Sequence, residues 1–378
     1  MWSSKRSPGG ALIRRLCTLG LPIEGIVPAL MRVLCHEAHS DAGVVLWFDS
    51  RGEVANLYAQ NLPPPGQMAA WFAPSEPPSA ASLLPLTARV RLWRSELVEI
   101  CADDDAEGRP NVDPRPEPFC PHRHLCAMAM PTGDPMQRLC CAVVRHGAPV
   151  ASLMLYRPAT ATPFSSEERT AVKAAGRYLS LNGHSALANT SAAMYRASGE
   201  RALLLCEPEG QIARASVNGY EMLAQASGCP INRKTIPDEL ERAGRDLIRH
   251  LLAEAAHRAA RDTHGKDGGV TLINAWGLFR MHVFWGPSGP LGVLVERVEH
   301  LLVRLVAAMW HLDLSVQQGE VLLLLAQGLS HDRIADRMGV SHNTADYHIR
   351  QLYSKLGTHT REDAIAHLLD AADAGHAA

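Results

Sequence analysis

Five polar residues near the carboxyl end of the chain fall on one face of a predicted α-helix. They are Asn343, Asp346, Tyr347, Arg350 and Ser354. All of these side chains donate or accept hydrogen bonds, and arginine, asparagine and aspartate can distinguish base edges in the major groove of DNA. The opposite face of the same helix is apolar, with Ala345, Ile349, Leu352 and Leu356. The pattern therefore predicts a helix with one buried face and one hydrogen-bonding face.

A second group of reactive side chains lies in the middle of the chain. Residues 120–126 read Cys-Pro-His-Arg-His-Leu-Cys, and Cys140 and Cys141 follow. Thiolates and imidazoles bind zinc or copper, and thiols also serve in redox sensing. Two cysteines six residues apart, without a Cys-X-X-Cys pair, match no common zinc motif. We therefore interpret Cys120 and Cys126 as ordinary loop residues, and we predict neither a metal site nor a cofactor.

The motifs of the common enzyme classes are absent from the sequence. It contains no Gly-X-Ser-X-Gly elbow, no phosphate-binding loop, no His-Glu-X-X-His helix and no dinucleotide-binding glycine fingerprint. Its glycines fit turns and helix ends, and the aspartate pair of a phosphate-accepting receiver domain is not evident. The sequence therefore favours a binding protein over an enzyme.

Length and composition are typical of a folded multidomain protein. The chain has 378 residues, of which 47% are hydrophobic and 20% charged, and its net charge of −2 offers no general attraction to nucleic acid or membrane. Charges, prolines or glycines interrupt every apolar run before about twenty residues, so neither a signal peptide nor a membrane span is predicted. We expect a cytoplasmic protein whose nine cysteines are reduced thiols.

Four helices are predicted over residues 308–373, around the hydrogen-bonding face. Ser315 with Gln318 forms a capping box for the first helix, and Ser330 is positioned to cap the second. A three-residue turn, 339–341, leads into the third helix, and a fourth with one apolar side closes the segment. A short turn between the second and third helices is the geometry that lowers a recognition helix into the major groove.

This all-α segment resembles the LuxR-type (FixJ/NarL-type) helix-turn-helix. The motifs that carry the resemblance are Glu320-Val321-Leu322, Ala326-Gln327-Gly328-Leu329-Ser330, Ile334-Ala335, Val340-Ser341-His342-Asn343-Thr344, His348-Ile349 and Lys355-Leu356-Gly357. The resemblance implies a transcription regulator whose third helix reads base edges and whose hydroxyl and basic residues contact phosphates. The DNA-binding residues that it implies are Ser330, Ser341, Asn343, Thr344, Asp346, Tyr347, Arg350 and Lys355. Double-stranded DNA and RNA polymerase are the partners implied.

Two departures from the family pattern concern helix stability and charge. Gln317-Gln318-Gly319 replaces the usual Arg-Glu-Arg, and a glycine inside a helix costs about 1 kcal/mol relative to alanine. Asp346 stands where the family commonly has lysine, and we expect it to limit non-specific binding and to accept from a cytosine amino group. Residues 312–373 carry five Lys and Arg against nine Asp and Glu, a formal net charge of −4. A homodimer, which doubles the phosphate contacts, is therefore expected.

An apolar stripe precedes the helix-turn-helix segment. Its members are Val298, Leu301, Leu302, Leu305 and Val306. The stripe is either a dimer seam or one side of a linker helix packed on its own domain. The sequence leaves both alternatives open.

The residues before the stripe are expected to form two α+β sensor domains. Residues 10–185 read as a helix, a hairpin, long irregular loops, two strands and a helix capped by Ser165 and Glu168, an order that resembles a GAF domain. Residues 199–299 read as two strands, helices and a three-stranded meander, which resembles a PAS domain, although a second GAF domain has the same order. Residues 187–198 read as a linker between them.

The input signal stays open at this level. The N-terminal region lacks the spread aromatic and aspartate pattern of acyl-homoserine-lactone sensors, so a small-molecule effector of another kind and a relayed conformational signal are both compatible with it. A different class of function is also compatible with the acidic module. In that alternative the helix-turn-helix pairs with another transcription factor or with polymerase and touches DNA little.

Overall fold

Two antiparallel sheets followed by a group of helices make up the described part of the chain. The computed structural model describes residues 8–50, 54–60, 98–100, 136–145, 148–181, 194–207, 209–232, 234–236, 238–261, 269–286, 289–309, 312 and 314–376. The cysteine and histidine segment 120–126 lies outside these residues. Among the described helices, none is both long enough and apolar enough to span a bilayer.

Helices precede and follow the strands of the first sheet along the chain. Its elements are α1 (Pro8–Cys17), α2 (Ile23–Glu37), β1 (Ala42–Phe48), β2 (Val54–Ala59), β3 (Val98–Ile100), β4 (Met136–Arg145), β5 (Ala148–Pro158) and α3 (Ser166–Leu181). The strands lie in the order β2-β1-β5-β4-β3. The hairpin, the two later strands and α3 agree with the sequence pattern, and the predicted capping box of α3 forms between Ser165 and Glu168. Helix α1 was not predicted.

The second sheet repeats that arrangement with its helices between the strands. Its elements are β6 (Tyr195–Cys206), β7 (Ile212–Ala215), α4 (Gly219–Ser227), α5 (Asp238–Arg261), β8 (Val270–Asn274), β9 (Gly277–Gly286) and β10 (Gly289–His300). The predicted linker 187–198 is wrong at its end, because β6 begins at Tyr195. The early part of β6 is strand because it pairs with the end of β10, where Tyr195 lies opposite His300.

The described strands of both sheets follow one order. In each sheet the second strand lies beside the first, the first beside the fifth, the fifth beside the fourth and the fourth beside the third. All of these pairings are antiparallel. The two regions therefore share a topology, and strand order alone does not separate a GAF-like from a PAS-like domain.

Four charged side chains join the two sheet regions, and we call them the junction network: Arg32, Glu200, Arg297 and Glu299. Arg32, on α2, pairs with Glu200 and donates to Glu299 at 2.7 Å. Arg297 pairs with Glu200 at 3.1 Å and with Glu299 at 3.5 Å. The side chains of Arg297 and Glu299 are 1% and 0% exposed. Arg32 therefore ties the first region to the second through two carboxylates, of which that of Glu299 is fully buried.

Aromatic rings also contact one another between the two sheet regions. The ring of Trp276 stacks on Tyr58 with 6.0 Å between centroids and meets Trp47 edge-on at 5.8 Å. Asn56 of β2 accepts from the backbone amide of Ile231 at 2.9 Å. The two sheet regions thus meet through ion pairs, ring contacts and a hydrogen bond.

Five helices follow the second sheet: α6 (Leu301–Ala308), α7 (Val316–Ala326), α8 (His331–Met338), α9 (His342–Leu356) and α10 (Arg361–His376). Every member of the apolar stripe, 298–306, is buried within the chain. Helix α6 packs against α1, α2, β6, β10 and α10. The structure therefore supports the packed linker helix rather than the dimer seam, because this surface is already covered.

Candidate nucleic-acid interface

Helices α8 and α9 and the turn 339–341 between them form the core of the site. Gly339 ends α8 in the left-handed conformation, with φ 64°, as the sequence predicts. Ser341 then caps α9, because its hydroxyl accepts from the amide of Thr344 at 3.2 Å. The predicted capping box of α7 is also present, between Ser315 and Gln318. Local capping chemistry therefore sets both the sharpness of the turn and the direction of α9.

The two faces of α9 are as the spacing predicts. Its inner residues Ala345, Ile349, Leu352 and Leu356 are buried. Exposed positions on the other side are Asn343, Tyr347, Arg350, Ser354 and Lys355. Tyr347 is 59% exposed although it is large and partly apolar. A row of hydrogen-bonding side chains therefore faces outward from a helix that is anchored by its apolar side.

The eight residues predicted to contact DNA are not all close together. Ser330, Ser341, Asn343 and Thr344 gather where α8 and α9 begin, and the hydroxyls of Ser341 and Thr344 lie 2.8 Å apart. Ser330 precedes α8, but its side chain makes no capping hydrogen bond. Lys355 is in the last turn of α9, about 18 Å along the helix from Asn343 at 1.5 Å per residue.

Asp346 is the predicted contact whose surroundings differ most from expectation. Its side chain is only 23% exposed, because two histidines hold the carboxylate. Oδ1 lies 2.8 Å from Nδ1 of His331, and Oδ2 lies 3.3 Å from Nε2 of His342. His342 also places Nδ1 2.7 Å from Oδ1 of Asp332. We call His331, Asp332, His342 and Asp346 the histidine–aspartate cluster.

Sequence reasoning missed most of this cluster. The spacing of four between His342 and Asp346 on one helix was a usable signal. The contribution of His331 and Asp332 was not readable, because it depends on how α8 crosses α9. The cluster therefore combines a local pair with a tertiary contact.

The glycine inside α7 also has a tertiary explanation. The guanidinium of Arg15, on α1, donates to the carbonyl of Val316 at 2.8 Å and to that of Ser315 at 3.4 Å. A Cβ added at Gly319 would lie 2.3 Å from Nη2 of Arg15. Gly319 therefore leaves room for an arginine that connects the first sheet region to the helix-turn-helix.

The thiols in the described part of the chain are poor candidates for chemistry. Burial raises the pKa of Cys17, Cys35 and Cys141 to about 12, so these thiols are protonated at neutral pH. No group of three or more His, Cys, Asp or Glu side chains among the described residues is arranged to hold a metal ion. Cys120 and Cys126 lie outside those residues, so their role stays a prediction.

The geometry of α8, its turn and α9 defines the class as a helix-turn-helix DNA-binding module. Residues 312–368 match the family described as bacterial regulatory proteins, LuxR family. The predicted resemblance is thereby confirmed, and this segment of the chain is a LuxR-family helix-turn-helix domain. A curated relative, the "Probable transcriptional regulatory protein SgaR" of Hyphomicrobium methylovorum, is 43% identical over 54 residues. That match spans 14% of this chain and 26% of the relative.

Solved structures align over more of the chain at low identity. A Vibrio cholerae VqmA complex with ligand and DNA is 17% identical, covering 46% of this chain and 83% of VqmA, with a TM-score of 0.23. The VqmA dimer without target DNA has the same identity and coverage and a TM-score of 0.16. The sensor region of a sensor histidine kinase is 13% identical over 73% of this chain and 90% of that one, with a TM-score of 0.17. Ligand, DNA and dimer are features of VqmA in those structures.

Proposed function

We propose that the whole chain is a sequence-specific DNA-binding transcription regulator that acts by binding and not by catalysis. The outward face of α9 carries this proposal, because Tyr347 and Arg350 are exposed on a helix anchored by four buried residues. A helix in that setting can enter the major groove without disturbing the packing beneath it. A protein that binds the chromosome shares its compartment, so the cytoplasm is the location that we propose.

The proposed contacts divide into two groups by position. Asn343, Asp346, Tyr347 and Arg350 are assigned to the base edges, where arginine commonly makes two hydrogen bonds to guanine. Contacts to phosphates are assigned to Ser330, Ser341, Thr344 and Lys355, whose hydroxyls and ammonium group suit anionic oxygens. The distance of Lys355 from the other residues of this group fits phosphates on a different part of the duplex.

We propose that the protein binds DNA as a homodimer. The helix-turn-helix segment is acidic overall, with the five basic side chains of residues 312–373 outnumbered by nine acidic ones. One copy neutralises few phosphates, whereas two copies on a two-part site double the contacts. RNA polymerase is the further partner proposed, as for a regulator that acts at promoters.

We propose the domain division 10–185, 199–299 and 308–373, with GAF-like and PAS-like sensors before the effector module. The repeated strand order supports two domains of one topology. The junction network and the Arg15 contact offer a route by which a change in one sensor reaches the module. A small-molecule effector is the proposed signal.

Mass spectrometry of denatured, freshly purified protein tests the effector directly, since a retained ligand would be released with its own mass. The matched functional test compares promoter activity in the intact protein and in a version lacking residues 1–300. No retained molecule together with equal, unregulated activity in both would count against a sensing role.

Genome-wide footprints of the protein test the DNA-binding proposal. Discrete sites that share a sequence, and from which an operator duplex can be made, are the expected result. Recovery of the protein only with polymerase or with another regulator, and no shared sequence, would favour the protein-interaction alternative instead.

A further inference from the structure

The second sheet has a face that is open to solvent, although the first sheet is covered on both faces at its central strands. In β1, Val45 and Leu46 point to opposite faces and are 0% and 1% exposed. In β6, which has the same place in the strand order, Leu204 is 0% exposed but its neighbour Leu203 is 44% exposed. The face that carries Leu203 is therefore uncovered, and we call it the open face.

Strand register brings apolar side chains together on the open face. Among the described residues, seven large hydrophobic side chains are exposed, and four of them belong to strands of this sheet. Two neighbouring rows across β6, β10 and β9 are Leu203–Leu294–His282 and Leu205–Gly292–Phe284. Phe284 is 45% exposed, as Leu203 is to a similar extent. A contiguous exposed apolar surface of this kind is typical of an interaction site.

A row of charged side chains borders the apolar rows, and its members pair with one another. Glu296 of β10 lies between its cross-strand neighbours Arg201 of β6 and Arg280 of β9. Arg201 donates to Oε1 of Glu296 at 3.0 and 3.1 Å, and Nη1 of Arg280 lies 3.9 Å from Oε2. Arg214 of β7 adds an exposed basic side chain beside Leu205. A partner can therefore cover this row without burying an unpaired carboxylate.

We propose that two copies of this chain pair through their open faces, sheet against sheet, about a two-fold axis. The inference rests on the proposed function, because it names the surface that brings together the two copies which the acidic DNA-binding module needs. The other apolar surface that the sequence offered, the stripe before the helix-turn-helix, is buried within the chain. The open face is therefore the available contact.

The order of the rows makes the open face complementary to itself. A two-fold axis that runs across the strands, through the row of Leu203, reverses the strand direction in the second copy. The charged row of one copy then lies opposite the Phe284 row of the other, and Arg280 lies opposite Phe284 on the facing β9. Guanidinium groups pack favourably on phenylalanine rings. Apolar rows are thereby buried, and the charged rows of the two copies do not meet.

The size of the open face fits a reversible dimer. Strands lie about 4.8 Å apart and rise about 3.3 Å per residue, so five strands over positions 201–206 cover on the order of 500 Å². A standard interface buries about 800 Å² on each partner, and smaller interfaces are typical of transient complexes. We therefore expect a dimer that dissociates at micromolar concentrations and that a two-part DNA site stabilises.

Sedimentation velocity of the full chain without DNA, from about 1 to about 100 μM, tests the contact directly. A change from monomer to dimer with rising concentration is the expected result. Leu203→Arg combined with Phe284→Arg places charged side chains in the proposed contact, so the dissociation constant of the dimer should rise at least about tenfold. Both side chains are exposed in the single chain, so the substitutions should not prevent folding.

Ala253→Arg combined with Ala256→Arg supplies the matched control, because both alanines are exposed on α5, which packs against the opposite face of the sheet. It adds the same two charges and should leave the dissociation constant unchanged. Leu203→Thr combined with Phe284→Thr removes apolar surface without adding charge and keeps residues that favour strands. This milder variant should weaken the dimer severalfold. Circular dichroism checks that each variant is folded.

The outcomes separate this inference from the proposed function. A chain that stays monomeric over the whole concentration range would overturn the inference, even if it binds the operator duplex. A dimer that the two open-face variants leave intact, or that the control weakens equally, would overturn the assignment to the open face. A dimer weakened only by the open-face variants, in a chain that binds no duplex, would support the inference and contradict the proposed function.

Discussion

The molecule contains two charge networks of similar composition in opposite surroundings. In the junction network the side chains of Arg297 and Glu299 are almost completely buried between the sheet regions. In the histidine–aspartate cluster at the start of α9, His342 is 51% and Asp332 is 83% exposed. Both networks place carboxylates beside two arginine or histidine side chains. The junction network joins elements that are distant in sequence, whereas the cluster joins the consecutive helices α8 and α9.

Burial decides what each network can contribute. Removing one partner of a buried pair leaves an uncompensated charge in a medium that solvates it poorly, so the cost appears in folding. An exposed pair contributes little to stability, because water solvates either partner when it is alone. The cluster can therefore lose a partner without unfolding the module, whereas the junction network cannot. The junction network therefore suits a structural role, and the histidine–aspartate cluster suits a binding surface.

The largest effect on stability is expected at Glu299. Glu299→Gln removes the negative charge that Arg32 and Arg297 share, and should lower the free energy of unfolding by about 3–5 kcal/mol. Chemical denaturation measures the loss. Glu239→Gln is the control, since Glu239 is exposed on α5 and should change stability by less than about 0.5 kcal/mol. If the junction network stabilised the chain as little as a surface ion pair does, Glu299→Gln and Glu239→Gln would show the same unfolding curve.

In contrast to Glu299, a substitution of Arg350 should weaken DNA binding and leave the free energy of unfolding unchanged. Arg350→Ala is expected to weaken operator binding by about 1–3 kcal/mol, because an exposed arginine at a base-facing position donates two hydrogen bonds to guanine. Arg242→Ala removes the same charge from an exposed site on α5 and should leave operator affinity unchanged. Unaltered operator binding by a folded Arg350→Ala protein would refute the assignment of the recognition face.

His300 offers a half-buried counterpart to the exposed histidines. Burial lowers the pKa of His300 to about 4, below the value of about 6.5 for the unfolded chain. The unfolded state therefore binds the extra proton first, and stability should fall by about 1–2 kcal/mol as pH drops from 7 to 5. His300→Asn keeps a capping acceptor for the amide of Leu302 and should flatten that dependence. His250→Asn, at an exposed site, should leave the pH dependence of stability unchanged. The same pH profile of stability for both variants would argue against a role for His300.

The contact between α1 and α7 should appear as coupling between two substitutions. In an Arg15→Ala background, Gly319→Ala should stabilise the chain by about 0.5–1 kcal/mol, because alanine favours the helix. With Arg15 present the same substitution displaces the guanidinium from Val316 and should bring no gain. A double-mutant cycle on unfolding free energies measures the difference. Additive effects would mean that Arg15 does not occupy the space above Gly319.

The smallest effect is expected from Asp346, which mirrors Glu299 in chemistry and contrasts with it in burial. Asp346→Asn should change the free energy of unfolding by no more than about 1 kcal/mol, as is usual for pairs with exposed partners. The same denaturation series used for Glu299→Gln supplies the measurement. A loss of unfolding free energy as large as that of Glu299→Gln would contradict the difference proposed between the two networks.

Local sequence patterns predicted the elements that position the site. Capping residues such as Ser315 and Ser341, the left-handed Gly339 and the apolar spacing of α9 act within a few residues, so they are readable in one dimension. The hairpin of β1 and β2 and the three-stranded meander of β8, β9 and β10 were predicted for the same reason. The linker prediction failed at Tyr195, because that residue is held as strand by a partner about a hundred positions away.

Tertiary partners were the part that the sequence did not reveal. The sequence did not show that Arg15 occupies the space above Gly319, nor that His331 contacts Asp346. Both the Arg15 and the His331 contact join different helices, and the contact to His331 leaves Asp346 a proposed base contact. The buried stripe around Leu302 and Leu305 belongs to the same class, since its pattern fits a dimer seam as well as a packed linker.

Salt dependence of DNA binding by the full chain tests the central claim most directly. Affinity for the operator and for a random duplex is measured at several salt concentrations and constant pH. If the exposed face of α9 binds DNA, both affinities should fall linearly with salt on logarithmic axes, with the operator bound at least about a thousandfold more tightly. Weak binding without salt dependence, or equal affinity for both duplexes, would contradict the account.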